Sequence, residues 1–157
     1  MAWSTPASAT AGTALPAATW NATVRDNLKA IGDSWTAYTP ALTGWTLVNG
    51  TLTGKAVQAG KWVTGSIVYT VGASDTKSGA PVFSLPVASA AGAVGPAIGT
   101  AGLQDTSAGA RAFRFVFNVG TSTIQCTTDA DVRLSPTVPW TWATGDVFYI
   151  SFSYEAA

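Results

Sequence analysis

The chain has 157 residues, which is enough for one compact domain with a short appendage and too few for two ordinary domains. It is 47% hydrophobic and only 10% charged, and its eight basic and eight acidic residues are scattered singly. Dispersed and balanced charge excludes the concentrated basic face that nucleic acid or an anionic membrane needs in a partner. Because so weakly charged a chain hardly repels its own copies, we expect it to self-associate.

The N-terminal residues 1–15 are rich in Ala, Thr, Ser, Gly and Pro around a single Trp3. This composition predicts an extended arm that becomes ordered only on a partner. The arm has neither a basic start nor a continuous apolar core, so it does not match a secretory signal and we expect the mature protein to begin here. No apolar stretch of the chain reaches the roughly 20 residues of a membrane span.

One short helix is predicted after the arm, with Pro16 in its first turn and Gly32 just past its end. Its apolar residues fall on one narrow stripe, formed by Trp20, Val24, Leu28 and Ile31. A helix of about four turns is not stable alone in water, so the stripe must pack on a partner. We expect three copies to bury it together as a homotrimer, while Trp3 helps to anchor the arm. Arm and helix form a first unit over residues 1–34.

Apolar residues alternate with period two from Trp35 onward, which predicts a β domain over residues 35–157. Asn49-Gly50 predicts a tight hairpin between the strands on either side of it, and a second hairpin is expected at Ala59–Lys61. Further strands are predicted at 82–85, 112–119, 123–127, 132–134 and 146–154. Many short strands separated by Gly, Pro, Asn and Asp indicate a mainly β fold, an antiparallel β-sandwich or jelly roll.

Large apolar side chains indicate which strand faces form the core. Three Phe residues alternate with other residues on one predicted strand and are expected inside: Phe113, Phe115 and Phe117. Phe148–Tyr154 alternates in the same way, with the even-numbered side chains expected inside. Trp45 and Trp62 are also expected to be buried. The Ala-Gly-Pro-rich stretch Val87–Gly109 has two interpretations, a close approach to another chain or a long loop.

Residues that carry catalysis or bind metals are few. There is no His, which removes the commonest general base and metal ligand, and there is no Gly-rich phosphate-binding loop. The single Cys126 excludes an internal disulfide and is expected to be a small side chain that is buried or half-buried. Asp129 and Asp131 suit glycoside cleavage, a calcium site or a solvated turn, and the turn is favoured because turn-forming residues surround them. We therefore expect no enzyme activity, no cofactor and no metal.

Aromatic residues are the richest feature of the chain, with seven Trp, four Tyr and six Phe. Trp140 and Trp142 follow Pro139 and would project to the same side of a strand. An exposed pair of this kind stacks on sugars, whereas a buried pair fills a core, which is the commoner role of Trp. The two residues are the candidate glycan contact of this sequence.

Six segments within residues 1–90 carry a family resemblance: Trp20–Gly32, Trp35–Pro40, Leu42–Leu47, Asn49–Lys55, Gly60–Val63 and Phe83–Val87. They resemble small virion proteins of tailed bacteriophages, especially those that infect actinobacteria. Such proteins are capsid decoration or head-fibre proteins, or minor tail proteins, in which an N-terminal segment attaches to the particle and a β domain faces outward. The resemblance implies no catalytic residues.

We therefore expect a trimeric capsid decoration or head-fibre protein on the virion exterior, assembled in the host cytoplasm, that stabilises the particle or mediates adhesion. Its partners would be its own copies and either the major capsid protein or tail proteins. Decoration is preferred because the sequence has no shaft repeats and no second, receptor-reading domain. The alternative is a minor tail or receptor-binding protein that contacts host cell-wall glycan, and a third interpretation is a polysaccharide-degrading enzyme.

Overall fold

The computed structural model describes residues 8, 10–32, 35–90, 97–127 and 132–157, and of Ala30 and Ile31 only the backbone. In these residues the chain forms one helix and nine strands. The helix runs through three consecutive segments, Ala17–Trp20 (α1), the π-helical Asn21–Arg25 and Asp26–Gly32 (α2). The strands are β1 Thr36–Tyr38, β2 Leu42–Thr46, β3 Thr51–Ala59, β4 Trp62–Thr70, β5 Thr76–Ser84, β6 Ala97–Gln104, β7 Arg111–Asn118, β8 Thr123–Thr127 and β9 Val147–Glu155.

The predicted helix is confirmed. Pro16 precedes its first residue with an extended backbone, where the missing N–H of proline costs no helical hydrogen bond. The Thr23 hydroxyl donates to the carbonyl of Thr19 at 2.7 Å, and the Asn27 amide donates to the carbonyl of Thr23 at 3.0 Å. Gly32 is the last helical residue, so the helix ends one residue later than predicted. Segment α2 lies against β3, so the helix contacts the β domain of its own chain.

All nine strands pair antiparallel in one sheet, in the order β1-β3-β4-β9-β6-β7-β8-β5-β2. The sheet curls so that its edge strand β2 reaches across the interior. There the Trp45 ring lies 6.1 Å from the Tyr69 ring of β4 and 5.6 Å from the Phe148 ring of β9, measured between centroids. The mainly β prediction is therefore confirmed. The finer prediction of a sandwich is not confirmed, because the pairings form a single curled sheet.

One of the two predicted hairpins is present. Strands β3 and β4 pair from Ala59 opposite Trp62 along their whole length and are joined by Gly60-Lys61, with Gly60 at φ +62°. The hairpin predicted at Asn49-Gly50 is wrong, because β2 pairs with β5 whereas β3 pairs with β1 and β4. The Asn-Gly pair instead leads from the edge strand β2 to β3, which lies next to the opposite edge strand β1.

The stretch Val87–Gly109 contains a strand that the sequence did not predict. Strand β6 lies between β9 and β7, and its Gly99 approaches β9 so closely that a Cβ there would collide with the carbonyl oxygen of Ser151. The small residues therefore permit close packing within the chain. In contrast, 132–134 is not a strand, since Arg133 forms only a single bridge with Thr127.

The core lies on the inner face of the curled sheet. Its largest fully buried side chains are Trp45, Tyr69, Phe83, Phe148, Ile67, Leu103, Ile124, Leu134 and Ile150. On β9 the even-numbered residues are buried, as predicted, while Tyr149 and Ser151 face outward. On β7 the prediction is reversed, because Val116 and Asn118 are buried whereas Phe113 and Phe115 are exposed. Trp62 is also exposed, contrary to its prediction.

Register explains the reversed face of β7. Residues paired across adjacent strands share a face of the sheet, and the inward Ala101 and Leu103 of β6 pair with Arg114 and Ala112 of β7. The outward Gly102 pairs with Phe113. Large rings from β2, β4, β5 and β9 already fill the interior, so only small or slender side chains of β7 fit there.

Candidate functional surfaces

The apolar stripe predicted on the helix is largely exposed where the structure describes its side chains. Trp20 is 53% exposed and Leu28 is 64% exposed, while Val24 is half-buried. Among the helix side chains that the structure describes, Asn27 is the buried one. It lies one turn from the half-buried Val24, so the helix packs on its own chain along one edge of the stripe and leaves Trp20 and Leu28 exposed. The side chain of Ile31 and all of Trp3 lie outside the described residues. An apolar helix face is therefore available to a partner.

Trp140 and Trp142 do not form an exposed platform. They lie in a loop between β8 and β9, with ring centroids 5.2 Å apart. Trp142 is 4% exposed, stacks on Phe148 with centroids 4.2 Å apart, and donates its Nε1–H to the carbonyl of Val138 at 3.2 Å. Trp140 is half-buried and packs against the same core. Trp142 therefore takes the core role that is commoner for Trp, and its ring is not available to stack on a sugar.

Asp75 organises the turn that contains Asn49-Gly50. Its carboxylate is buried and accepts hydrogen bonds from five donors. These are the backbone N–H groups of Val48, Asn49, Gly50 and Gly72 and the hydroxyl of Tyr69, at 2.7, 3.1, 3.1, 2.8 and 2.8 Å. We call these six residues the Asp75 cluster. A Cβ on Gly72 would collide with the backbone nitrogen of Gly50, so the two glycines permit this close approach.

Opposing effects act on the ionisation of Asp75. Burial alone would raise the pKa of its carboxyl group, whereas hydrogen bonds from Val48, Gly72, Tyr69 and Gly50 stabilise the charged form. The hydrogen bonds outweigh the effect of burial, so the pKa of the Asp75 carboxyl group lies well below its usual range. Burial, aided by the neighbouring carboxylate, raises the pKa of the Tyr69 hydroxyl. The pair is a neutral phenol that donates to a carboxylate, which is a structural arrangement.

Two other buried carboxylates also bind backbone. Asp105 accepts from the N–H groups of Ser107 and Ala108, both at 2.9 Å. Hydrogen bonds from Ala108 and then Ser107 lower its pKa. Asp146 accepts from the N–H groups of Thr106 at 3.0 Å and Ala143 at 2.8 Å. Each of the three is occupied in holding a turn, and the candidate pair Asp129 and Asp131 lies outside the described residues.

Cys126 is buried on β8, as predicted, and burial raises the pKa of its thiol to about 12. Within the described ranges, no three His, Cys, Asp or Glu side chains lie close enough together to hold a metal ion. In the same residues, no helix combines the length and the apolar character that crossing a membrane requires.

The outer face of β9, β6 and β7 carries a groove of about 480 Å³. Gly102 of β6 lies at its floor, paired with Tyr149 of β9 on one side and Phe113 of β7 on the other. Phe113 is 78% exposed and Tyr149 is 50% exposed, so both side chains stand in solvent. A Cβ on Gly102 would lie 3.9 Å from the Phe113 ring and 3.9 Å from the Cβ of Tyr149. Glycine thus leaves the space between two aromatic walls open.

Polar side chains border the aromatic pair along the groove. One row further along the strands, Thr100 of β6 pairs with Ser151 of β9. In the opposite direction Gln104 of β6 pairs with Arg111 of β7. All four line the groove, and no carboxylate does. The groove therefore combines aromatic surface with hydroxyl, amide and guanidinium groups.

Sequence reasoning missed this groove because it placed Phe113 in the core. The available signal was Tyr149, which alternation placed on the outer face of β9. Its position beside Gly102 depends on β6, the strand that was not predicted.

Known proteins offer no template for the chain, since no family model, no curated protein and no solved structure matches it. Its function must be argued from the helix stripe and the groove themselves.

Proposed function

We propose that this protein is a structural protein of the exterior of a tailed-bacteriophage particle, a trimeric capsid decoration or head-fibre protein. In this proposal the N-terminal arm and helix attach the chain to the particle and to two further copies. The curled β domain faces outward. The major capsid protein is the neighbouring partner.

The exposed helix stripe is the observation that carries this proposal. Trp20 and Leu28 each expose more than half of their surface while the β domain has a filled core of its own. Burying a large apolar side chain is worth about 1.5–3 kcal/mol, so leaving two of them in water favours a partner for this face. Three helices that share one stripe bury it equally in all copies.

The charge distribution also supports a packed, external role. Asp75, Asp105 and Asp146 are buried and hold backbone turns, so they leave the surface with still less charge than the composition suggests. The outer strand face carries many Thr and Ser residues, among them Thr64, Ser66 and Ser151. A surface with hydroxyl groups and few charges allows many copies to lie side by side on a lattice.

The test is the mass of the purified full chain by light scattering, together with binding to undecorated capsids and to isolated tails. We expect a mass of three chains of 16.0 kDa each and saturable binding to capsids. The double variant Trp20→Ser, Leu28→Ser should yield monomers with an unchanged β circular dichroism spectrum, because both side chains are exposed in the single chain.

Lys29→Ser provides the matched control, since Lys29 is exposed on the same helix and lies off the stripe. It should keep the mass and the capsid binding of the original chain. A stripe variant that stays trimeric would contradict assembly through the helix. Binding to tails instead of capsids would move the protein to the tail.

A further inference from the structure

We propose that the groove between Phe113 and Tyr149 is a glycan-binding site that holds one pyranose ring over Gly102. Two features of the groove carry this inference: paired aromatic walls around an open floor, and polar groups in the adjacent rows. Neither depends on assembly through the helix, so the site belongs to the single chain.

The dimensions of the groove suit a single sugar ring. Tyr149 and Phe113 stand on strands that are two apart, which separates their backbones by about 9.6 Å. Half of that separation is about 4.8 Å. The Phe113 ring leans inward to 3.9 Å from the Cβ position of Gly102, so a pyranose ring that stands over Gly102 meets an aromatic side chain on each side. The C–H faces of a pyranose are apolar, whereas its hydroxyls point outward from the ring edge. The C–H faces of such a ligand would contact the aromatic walls of the groove, and its hydroxyls would face the adjacent rows of polar side chains.

Hydrogen-bonding groups lie where the hydroxyls of that ring would be. Thr100 and Ser151 supply hydroxyls on one side of the aromatic row, and Gln104 and Arg111 supply an amide and a guanidinium on the other. Each can donate a hydrogen bond to a sugar oxygen, and all except Arg111 can also accept one. The residues run from 100 to 104 on β6, a length of about 13 Å. A short oligosaccharide therefore fits along the strand.

A glycan fits these features better than a second copy of the chain or a nucleic acid. Contacts between protein copies favour a continuous apolar core. Here Gly102 leaves a gap at the centre of the surface, and polar side chains line the groove at both ends, although the exposed Phe115 of β7 stands beside Thr100 just outside it. Nucleic acid would need a basic face, but Arg111 is the single cationic residue among those that line the groove.

The experiment is binding of the full chain to an array of oligosaccharides that covers neutral, N-acetylated and acidic pyranoses, followed by calorimetry with the best soluble one. Phe113→Ala and Tyr149→Ala should each lower the affinity at least about tenfold, equivalent to about 1.4 kcal/mol. Gly102→Val should abolish binding while the fold persists, because its Cβ meets only ordinary contacts and β-branched residues suit strands. Trp62→Ala is the matched control, an exposed aromatic residue of the same sheet outside the groove, and should change nothing.

Several outcomes would overturn the proposal. One is that the chain binds no sugar on the array, and another is that it still binds after both Phe113→Ala and Gly102→Val. Loss of binding on Trp140→Ala alone would also contradict a site at Gly102. A change of mass in light scattering caused by Phe113→Ala would show that the surface contacts a second copy. The helix variant Trp20→Ser, Leu28→Ser should bind the sugar as well as the original chain does, so failure of assembly and failure of sugar binding can be told apart.

Discussion

Replacing Asp75 by Ala is expected to destabilise the fold strongly, because one carboxylate serves five donors in the Asp75 cluster. The backbone N–H groups of Val48 and Asn49 belong to exposed residues, so they can donate hydrogen bonds to water after the substitution. The Tyr69 hydroxyl and the Gly72 N–H are at buried residues and cannot. A buried donor left without an acceptor costs about 1–3 kcal/mol, so these two together predict a loss of about 2–6 kcal/mol. That is a large part of the 5–15 kcal/mol by which a typical domain is stable.

Equilibrium unfolding in urea measures this loss, with Tyr69→Phe as the second arm of a double-mutant cycle. In the Tyr69→Phe background, replacing Asp75 leaves one buried donor fewer without an acceptor. The loss of unfolding free energy caused by Asp75→Ala should therefore be smaller there by about 1–3 kcal/mol. A loss below about 1 kcal/mol for Asp75→Ala, or two substitutions whose effects simply add, would refute the role given to the Asp75 cluster.

Acidification tests the charge on Asp75. Its pKa in the folded chain lies below the ordinary value of 3.8, so the carboxylate contributes stability at pH values above 3.8. That contribution is lost as the pH falls from there through the folded-state pKa. Asp75→Asn lacks this group, so the difference in unfolding free energy between it and the original chain should shrink below pH 3.8. A difference that stays constant on acidification would contradict the assignment.

Two further predictions concern the core. The Cys126 thiol should not react with a disulfide reagent at pH 8 in the folded chain but should react fully in urea. Burial raises the pKa of the thiol to about 12 and shields it from the reagent. Rapid reaction of the folded chain would contradict this prediction. Trp142→Ala should cost about 3–5 kcal/mol in urea unfolding, because it removes a buried ring stacked on Phe148 and leaves a cavity, and a cost near zero would contradict its place in the core.

Local patterns in the sequence were enough to predict several elements. The helix, the Gly60-Lys61 turn and the buried face of β9 each depend on residues that are close together in the chain. Period-two alternation indicates that a strand has two different faces, and on β9 the large apolar side chains at four successive even positions lie on the same face. The mainly β class followed from such segments without knowledge of their pairing.

Contacts between distant residues decided the features that carry function. Asn49-Gly50 favours a hairpin locally, but its N–H groups donate to the carboxylate of Asp75, 25 residues further along, and the chain passes to β3 near the opposite edge of the sheet. Phe113 faces outward because its partner across the sheet is Gly102 and because rings from other strands already fill the interior. Alternation separates two faces but cannot say which is inside, since that depends on how the whole sheet curls. The groove at Gly102 exists only as a consequence of that choice.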